Sequence, residues 1–407
     1  MWTVVILVFL ATAIFDLVLR FLAYKNQGLP APANLRDIYD SETYAKRSAY
    51  GKERLRLFIV ADACSALVTL ALLLSNFHSA LFYFIGRHTP NMYLQALFML
   101  GVVLVISQAV KTAFAAVLTF KVEAKYGFNK SSARTFVSDR IRDFLIVHVG
   151  LFLGAIMLFL FLHGLLGNAV FVAFVFVFAL YEIVFMFLGI FMMGGKRKPL
   201  EDGALKEKIE ALLAKAGFPI DRIFVRDDSK RHSKISASCA GLGKTRTIVL
   251  GDNLLDGRYS DDEVLNVVAH ELEHAKAYQD LRLVPLRFAA WIALVFMAYF
   301  VVNSGAISAA FGFTELNVAF GVYVALMVFC VPVMHLTWIP VNAMYRSNEL
   351  AADRFGARMA GKEAAISGLK KGARDNFENL TPHWLNVMMS ATHPPMAKRI
   401  ENIEKNV

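Results

Sequence analysis

Sulfur and charge are both scarce in this chain. It has 3 cysteines in 407 residues, Cys64, Cys239 and Cys330, too few and too scattered for a disulfide framework, and no CxxC pair offers a sulfur-rich metal site. Charged residues make up only 19%, against 57% hydrophobic residues and 34 Phe. With a mean hydropathy of +0.49, a soluble fold would lack the polar residues to cover its surface. These shortages exclude a disordered, collagenous or ordinary cytosolic chain. No internal repeat or low-complexity tract is present. A phosphate-binding loop is also missing. Gly241-Leu242-Gly243-Lys244-Thr245 has the ending of one, but Ser238 stands where the first glycine belongs and a β-like run, 247–250, follows where a helix should start. A hairpin turn is expected there.

What the chain has instead is long apolar runs. A helix needs about 20 mostly apolar residues to cross a bilayer, and seven stretches reach that length: 2–22, 58–77, 93–120, 144–164, 169–193, 285–311 and 318–340. The first lacks a basic segment before it and a small-residue cleavage site after it, so it reads as a retained span and not a signal peptide.

The net charge of +10 is distributed by loop. Loop 23–57 carries Lys25, Arg36, Lys46, Arg47, Lys52, Arg54 and Arg56; the next loop has only Arg87. The third has Lys121, Lys125, Lys130, Arg134, Arg140 and Arg142, and the fourth has none. By the positive-inside rule the amino terminus is outside, the first and third loops are cytoplasmic, and Lys196-Arg197-Lys198 returns the chain to the cytoplasm. The expected organisation is a membrane region 1–194, a polar block 195–284, spans six and seven within 285–340, and a second polar block 341–407. Within the polar blocks, helices are expected at 203–216, 261–278 and 344–360, with strands near 223–226 and 247–250. Ser260 and Glu263 form a capping box for the second helix.

That helix contains His270-Glu271-Leu272-Glu273-His274. Two histidines at i, i+4 share one helix face and can hold one metal ion, with Glu271 beside them as general base. Zinc is the expected metal, and a catalytic zinc needs a third protein ligand plus an open position. A continuation of the motif with Gly at 277 and His at 280 is absent, since the chain has Ala277 and Asp280 there. Glu349, in Asn348-Glu349-Leu350-Ala351-Ala352-Asp353, is the better candidate, a plain surface residue being its alternative. Asp353, one helical turn on, is placed to accept a hydrogen bond from a ligating imidazole. Two spans separate His274 from Glu349, and an even number returns the chain to the side it left, so the site can close.

Together with Tyr126-Gly127-Phe128-Asn129-Lys130, Asp139, 205–210, Gly217-Phe218-Pro219 and Thr392-His393-Pro394-Pro395-Met396-Ala397-Lys398-Arg399-Ile400, these residues resemble the multi-span zinc proteases known as type I CAAX prenyl proteases. The resemblance covers most of the chain. It implies an all-α polytopic membrane protein, seven helices forming a barrel around a water-filled chamber, capped on the cytoplasmic side by a small α+β zinc metallopeptidase domain. It implies peptide substrates, prenylated or otherwise membrane-associated, cut near the C-terminus. It also makes His393 a candidate donor to the developing oxyanion, a helix-entry residue before two prolines being its alternative; Arg399 is expected to orient the substrate or the active-site wall, and Asn348 and the pair Ser236-Ala237 to contact substrate, Ser236 standing where the family often has Asn.

The expected activity is a zinc metalloendopeptidase with one Zn2+ per chain, in which Glu271 takes a proton from the attacking water. Partners are peptide or protein substrates and the lipid bilayer, with no nucleic acid and no obligate protein partner. A bacterial inner membrane is favoured, or the endoplasmic reticulum membrane if the chain is eukaryotic. The related heat-shock type of membrane quality-control protease is one alternative reading; a transporter or scaffold with an incidental zinc site is another. Inside the spans, Asp16 and Arg20 form an i, i+4 pair, and Asp62, Lys111, His148 and Glu182 are further polar groups that either line a hydrated chamber or pair with one another. His335 and His383 are expected to be packing histidines.

Overall fold

A computed structural model describes residues 1–192, 196–218, 222–230, 235–240, 246–276 and 279–407. The chain is mostly helical. The membrane region comprises α1 (Trp2–Lys25), α2 (Ser41–Leu74), a short α3 (Phe77–Gly86), α4 (Met92–Val117), α5 (Ala133–Asp143), α6 (Gly154–Leu166) and α7 (Ala169–Met192). π-Helical turns at Leu118–Glu123 and Phe144–Leu153 extend α4 and join α5 to α6. After α8 (Ala204–Lys215) and α9 (Asp261–Lys276) come α10 (Gln279–Val302), α11 (Gly305–Ala310) and α12 (Val318–Val324). A third π-turn, Ala325–Phe329, leads into α13 (Cys330–Ala360), which is followed by α14 (Lys362–Asp375), α15 (Trp384–Ser390) and α16 (Met396–Asn406).

Six of these helices are long and apolar enough to cross a membrane, and α7, with 24 residues, is the candidate for the remaining expected span. Their outward faces carry Leu7, Leu67, Leu158, Phe176 and Leu336, all exposed, as lipid contact requires. Inward they share one core, in which Val5, Phe9, Met99, Val103, Ile156 and Phe320 are buried. Arg20 Nε reaches Asp62 Oδ2 at 3.0 Å, and both side chains keep about two-fifths of their surface exposed, 44% and 39%. Charges within apolar helices need a partner, and these two supply one another. Arg20 therefore pairs with the neighbouring helix instead of with Asp16, which meets His335 Nε2 at 3.1 Å. Glu182 is buried, accepts from Trp291 Nε1 at 2.9 Å and pairs with Arg287 at 2.9 Å.

Two expected helix boundaries move. The helix bearing Glu349 does not begin after Pro340: it is the same unbroken helix as span seven, with Pro340 inside it. Pro285 likewise sits inside α10. A proline removes one backbone donor, and within a packed bundle neighbouring groups and local adjustments absorb that loss. The expected sixth span, 285–311, is divided between α10 and α11, and α3 and α5 fall in segments read as loops.

The polar blocks fold around a four-stranded sheet of order β1-β2-β4-β3: β1 (Arg197–Pro199), β2 (Ile223–Arg226), β3 (Ala237–Ala240) and β4 (Thr247–Gly251). β2 and β4 run parallel, which a crossover permits, while β1 and β3 are antiparallel outer strands. Ile248 and Leu250 of β4 pack with Ile209 and Leu213 of α8 and with Val264, Val268 and Leu272 of α9. The turn 241–245 lies outside the described residues.

Loop 23–57 does more than carry positive charge. Tyr39 donates to the Ala373 carbonyl at 2.7 Å, and Asn26 and Thr381 exchange hydrogen bonds at 3.1 and 2.8 Å. Leu35, Ile38 and Tyr39 join Leu380, Met396 and Ile400 in a separate core. The amino-terminal half thereby holds the segment that carries His393.

α9 and α13 approach closely at small residues. A Cβ on Gly356 would lie 2.6 Å from Asn266 Oδ1 and 3.1 Å from its carbonyl oxygen. Gly356→Ala is therefore expected to force the two helices apart, lowering stability by about 1–3 kcal/mol and weakening metal binding with it. Thermal melts with and without metal measure both; an unchanged melting temperature contradicts the packing account.

Candidate metal centre and active site

α9 is rigid before it reaches its chemistry. Its capping box forms as the spacing predicts: Ser260 N–H donates to Glu263 Oε2 at 2.8 Å, and Glu263 N–H to Ser260 Oγ at 3.3 Å. Glu263 is also gripped by Ser367 and Lys371 of α14, at 2.6 and 2.7 Å. Val264, Val268 and Leu272 bury one face, leaving His270, Glu271 and His274 turned to α13 and β3.

The three expected ligands converge. Donor atoms of His270, His274 and Glu349 all lie within 4.8 Å of one another. His270 Nε2 is 3.2 Å from His274 Nε2; Glu349 Oε2 is 3.4 Å from the first and Oε1 3.3 Å from the second. The remaining ring nitrogens are engaged: His270 Nδ1 with Asp353 Oδ1 at 3.1 Å, and His274 Nδ1 with Gln279 Oε1 at 2.7 Å. Both partners are acceptors, so in the neutral rings that a metal requires each Nδ1 carries the hydrogen and each Nε2 presents a lone pair. Two imidazole lone pairs and a carboxylate facing one point repel unless a proton or a metal cation stands between them. Glu349 Oε2 is moreover buried without a hydrogen bond of ordinary geometry. The donor set therefore fits a divalent metal of the kind that takes nitrogen and oxygen ligands.

Asp353 orients His270 and is itself held by Arg399, whose Nε and NH2 groups donate to its two oxygens at 2.8 and 2.6 Å. Against the effect of burial, Arg399 and His270 draw its carboxyl down to about 2. Glu349 is buried too, yet the two imidazoles hold it far below the usual carboxylate range. Burial raises Glu271, with the imidazoles and a Cys239 backbone N–H pulling the other way. Cys239 lies on β3, so the outer strand and Glu271 are neighbours. His393 Nε2 stands 3.4 Å from Glu349 Oε1, its side chain 62% exposed, and its Nδ1 lies 3.0 Å from Thr392 Oγ1.

The expected substrate contacts divide. Ala237 opens β3, and Asn348 is half-buried beside Glu349 on α13. Ser236, by contrast, belongs to the sheet: its hydroxyl accepts from Arg226 at 3.0 Å and donates to Asp228, and its carbonyl accepts from Gly251 N–H at 2.9 Å. Arg399 pairs with Asp353 and has Nη2 3.6 Å from Glu349, so it lies in the wall of the site. His383 caps α15, its Nδ1 accepting from Leu385 N–H at 3.2 Å. Gln279 and Thr392 were not anticipated. Their only signal was a polar side chain five residues past His274, at the edge of an apolar run, and a hydroxyl next to His393.

Residues 199–407 match the family described as Peptidase family M48. The chain belongs to that family. Residues 20–191 match the CAAX prenyl protease N-terminal family of five membrane helices, so the M48 peptidase domain here follows a membrane region of its own kind. Similar proteins include a CAAX prenyl protease 1 homolog of Oryza sativa subsp. japonica, 28% identical with 96% of this chain and 94% of that one covered. Another, of Arabidopsis thaliana, is 29% identical with 92% and 90% covered. The crystal structure of S. mikatae Ste24p shares the fold, with a TM-score of 0.87, 23% identity and 99% of each chain covered. This M48 member is thus an integral membrane metalloprotease acting on peptides.

Two outcomes follow from the site. Removing Arg399 takes the guanidinium from the buried Asp353 and leaves it only His270, so Arg399→Met is expected to cost about 3–5 kcal/mol of stability. Denaturant titration tests this, and a loss under about 1 kcal/mol contradicts it. The second concerns pH. In the metal-free protein burial opposes a charged His270, but hydrogen bonds to Asp353 and Glu349 outweigh it and raise its pKa from 6.5 to about 9. His274 is raised as well, with Glu349 outweighing burial. Protonated His270 then stabilises the metal-free fold fully below 6.5 and loses that contribution as pH rises through about 9. A metal must displace the proton, so apparent metal affinity climbs about tenfold per pH unit from pH 7 towards 9 and then levels off. Chelator-competition titrations measure this, and a profile that is flat across neutral pH contradicts it.

Proposed function

We propose that the metal is zinc, held by His270, His274 and Glu349, and that the protein hydrolyses peptide bonds near the C-terminus of prenylated or membrane-associated substrates on the cytoplasmic face. The observation that carries this reading is the convergence of two Nε2 lone pairs and one carboxylate within 4.8 Å, with Glu271 adjoining. A zinc held by these three residues would supply Lewis-acid chemistry, polarising the scissile carbonyl and lowering the pKa of a water. Glu271, whose affinity for a proton burial has raised, accepts one from the attacking water and returns it to the leaving amine.

His393 stands at the same carboxylate, its Nε2 3.4 Å from Glu349 Oε1. A proton on Thr392 Oγ1 directed at Nδ1 leaves Nε2–H as a donor, available to the oxygen on which charge develops. β3 is an outer strand next to Glu271, so an extended peptide can add along it through backbone hydrogen bonds, with Ala237 in contact and Asn348 near the metal-facing carboxylate. Asp353, Arg399 and Gln279 keep the imidazoles in one orientation and tautomer. Basic cytoplasmic loops support the side assignment, and a bacterial inner membrane is the favoured setting.

Glu271→Gln keeps the side chain's shape and removes the base. Peptide cleavage is expected to fall at least 1000-fold with one zinc per chain still bound, as measured by cleavage of a prenylated reporter peptide and by metal analysis. Retained turnover, or loss of zinc along with activity, contradicts the assigned role.

A further inference from the structure

At the end of the membrane bundle away from the metal site, a pocket of about 330 Å³ opens between α3, the start of α4, the end of α6 and the segment joining α11 to α12. α12, its π-turn and α13 form one continuous helical run. Along it Glu349 lies 31 positions beyond Val318 of the pocket wall, roughly 46 Å in axial distance. A bilayer with its head groups is about 40–45 Å thick, so the pocket stands at the head-group level of the opposite face. Tyr83 and Tyr93 in its wall are the residue type that favours that layer.

The pocket gathers polar groups that the fold leaves unused. Glu315 is exposed in its wall and is the one acid in the segments at that end of the bundle, 75–92, 164–169 and 303–318. Among the described residues it has no ion-pair partner, and the Tyr93 hydroxyl has no hydrogen bond. His163 Nε2 is buried without a hydrogen-bond partner. Asn317 gives its Oδ1 to Phe320 N–H at 2.9 Å and keeps its amide N–H groups. Phe82 and Tyr83 pack on Phe313 at 5.7 and 6.1 Å, two residues before Glu315. An acid beside aromatic rings suits an ammonium group, while the hydroxyl, the amide and the ring nitrogen can donate to an anion. Tyr93 meets the Phe161 ring at 6.5 Å, so α4 and α6 adjoin at the pocket. From there two exposed i, i+4 pairs, Leu94 with Phe98 and Phe161 with Leu165, give the two helices an apolar outer stripe.

We propose that this pocket binds the head group of a phospholipid bearing a primary ammonium, of the phosphatidylethanolamine class. The ammonium meets Glu315, the phosphate meets Tyr93, Asn317 and His163, and the acyl chains follow the outer stripe of α4 and α6. A primary ammonium has three N–H donors for the carboxylate, a choline head group has none, and a glycerol head group brings no positive charge. The site lies too far from the metal to share a ligand with it, and it does not rest on the protease reading.

The test uses full-length protein in detergent micelles with one phospholipid added at a time, read by native mass spectrometry. The chain should hold one phosphatidylethanolamine about tenfold or more tightly than phosphatidylcholine or phosphatidylglycerol. Glu315→Gln and Tyr93→Phe should each remove that preference while the melting temperature in phosphatidylcholine stays unchanged. Phosphatidylethanolamine with a diazirine near the glycerol end of one chain should form adducts on 92–98 and 161–165. Equal retention of the three lipids, an undiminished preference in Glu315→Gln, or adducts elsewhere overturns the proposal. Glycerophosphoethanolamine bound as tightly as the whole lipid overturns the assignment to a membrane source. A chain that cleaves no peptide gives the same readouts, so failure of the protease reading and failure of this proposal are told apart.

Discussion

Two imidazole lone pairs and a carboxylate aimed at one point are mutually repulsive, and much of the polar domain's fold serves to keep them there. Asp353 and Gln279 each take the outward hydrogen of one ring, so neither histidine can turn its lone pair away without breaking a buried hydrogen bond. Arg399 then neutralises Asp353. The close approach of α9 and α13 at Gly356, and the grip of α14 on Glu263, hold the backbone from which these groups project. A site so constrained loses little entropy when a cation enters, and its donors need not move.

The membrane helices supply part of that rigidity. Glu349 stands on the polar extension of a membrane helix that runs unbroken through Pro340, and α10 starts at the residue that orients His274. The two membrane helices are therefore extensions of the ligand scaffold, and the Glu182–Arg287–Tyr345 rim ties them to α7. Loop 23–57 closes the arrangement from the other half of the chain, packing on the segment that leads to His393.

The chemistry was legible in the sequence because it depends on spacing along helices. His270 and His274, or Glu349 and Asp353, share a face wherever the helix lies, and the even number of intervening spans showed that the two pairs could meet. Partners supplied by other elements were not legible. Arg20 took Asp62 over its own-helix neighbour, Asp16 took His335, and Ser236 was claimed by Arg226 and Asp228, choices made by how helices and strands pack. The continuity of α13 was hidden for a related reason: Pro340 is a helix breaker by local propensity, and only a packed bundle overrides it. Gln279 and Thr392 act through a single hydrogen bond each and leave no pattern.

The central claim is that His270, His274 and Glu349 form the primary coordination shell of one zinc. X-ray absorption at the zinc edge, with metal analysis on purified wild-type and Glu349→Ala protein, tests it most directly. One zinc per wild-type chain, a first shell of nitrogen and oxygen with two imidazole signatures, and loss of the metal or of one oxygen in Glu349→Ala is the predicted result. Sulfur in the shell, fewer than two imidazoles, or an identical spectrum and zinc content in the variant would contradict it.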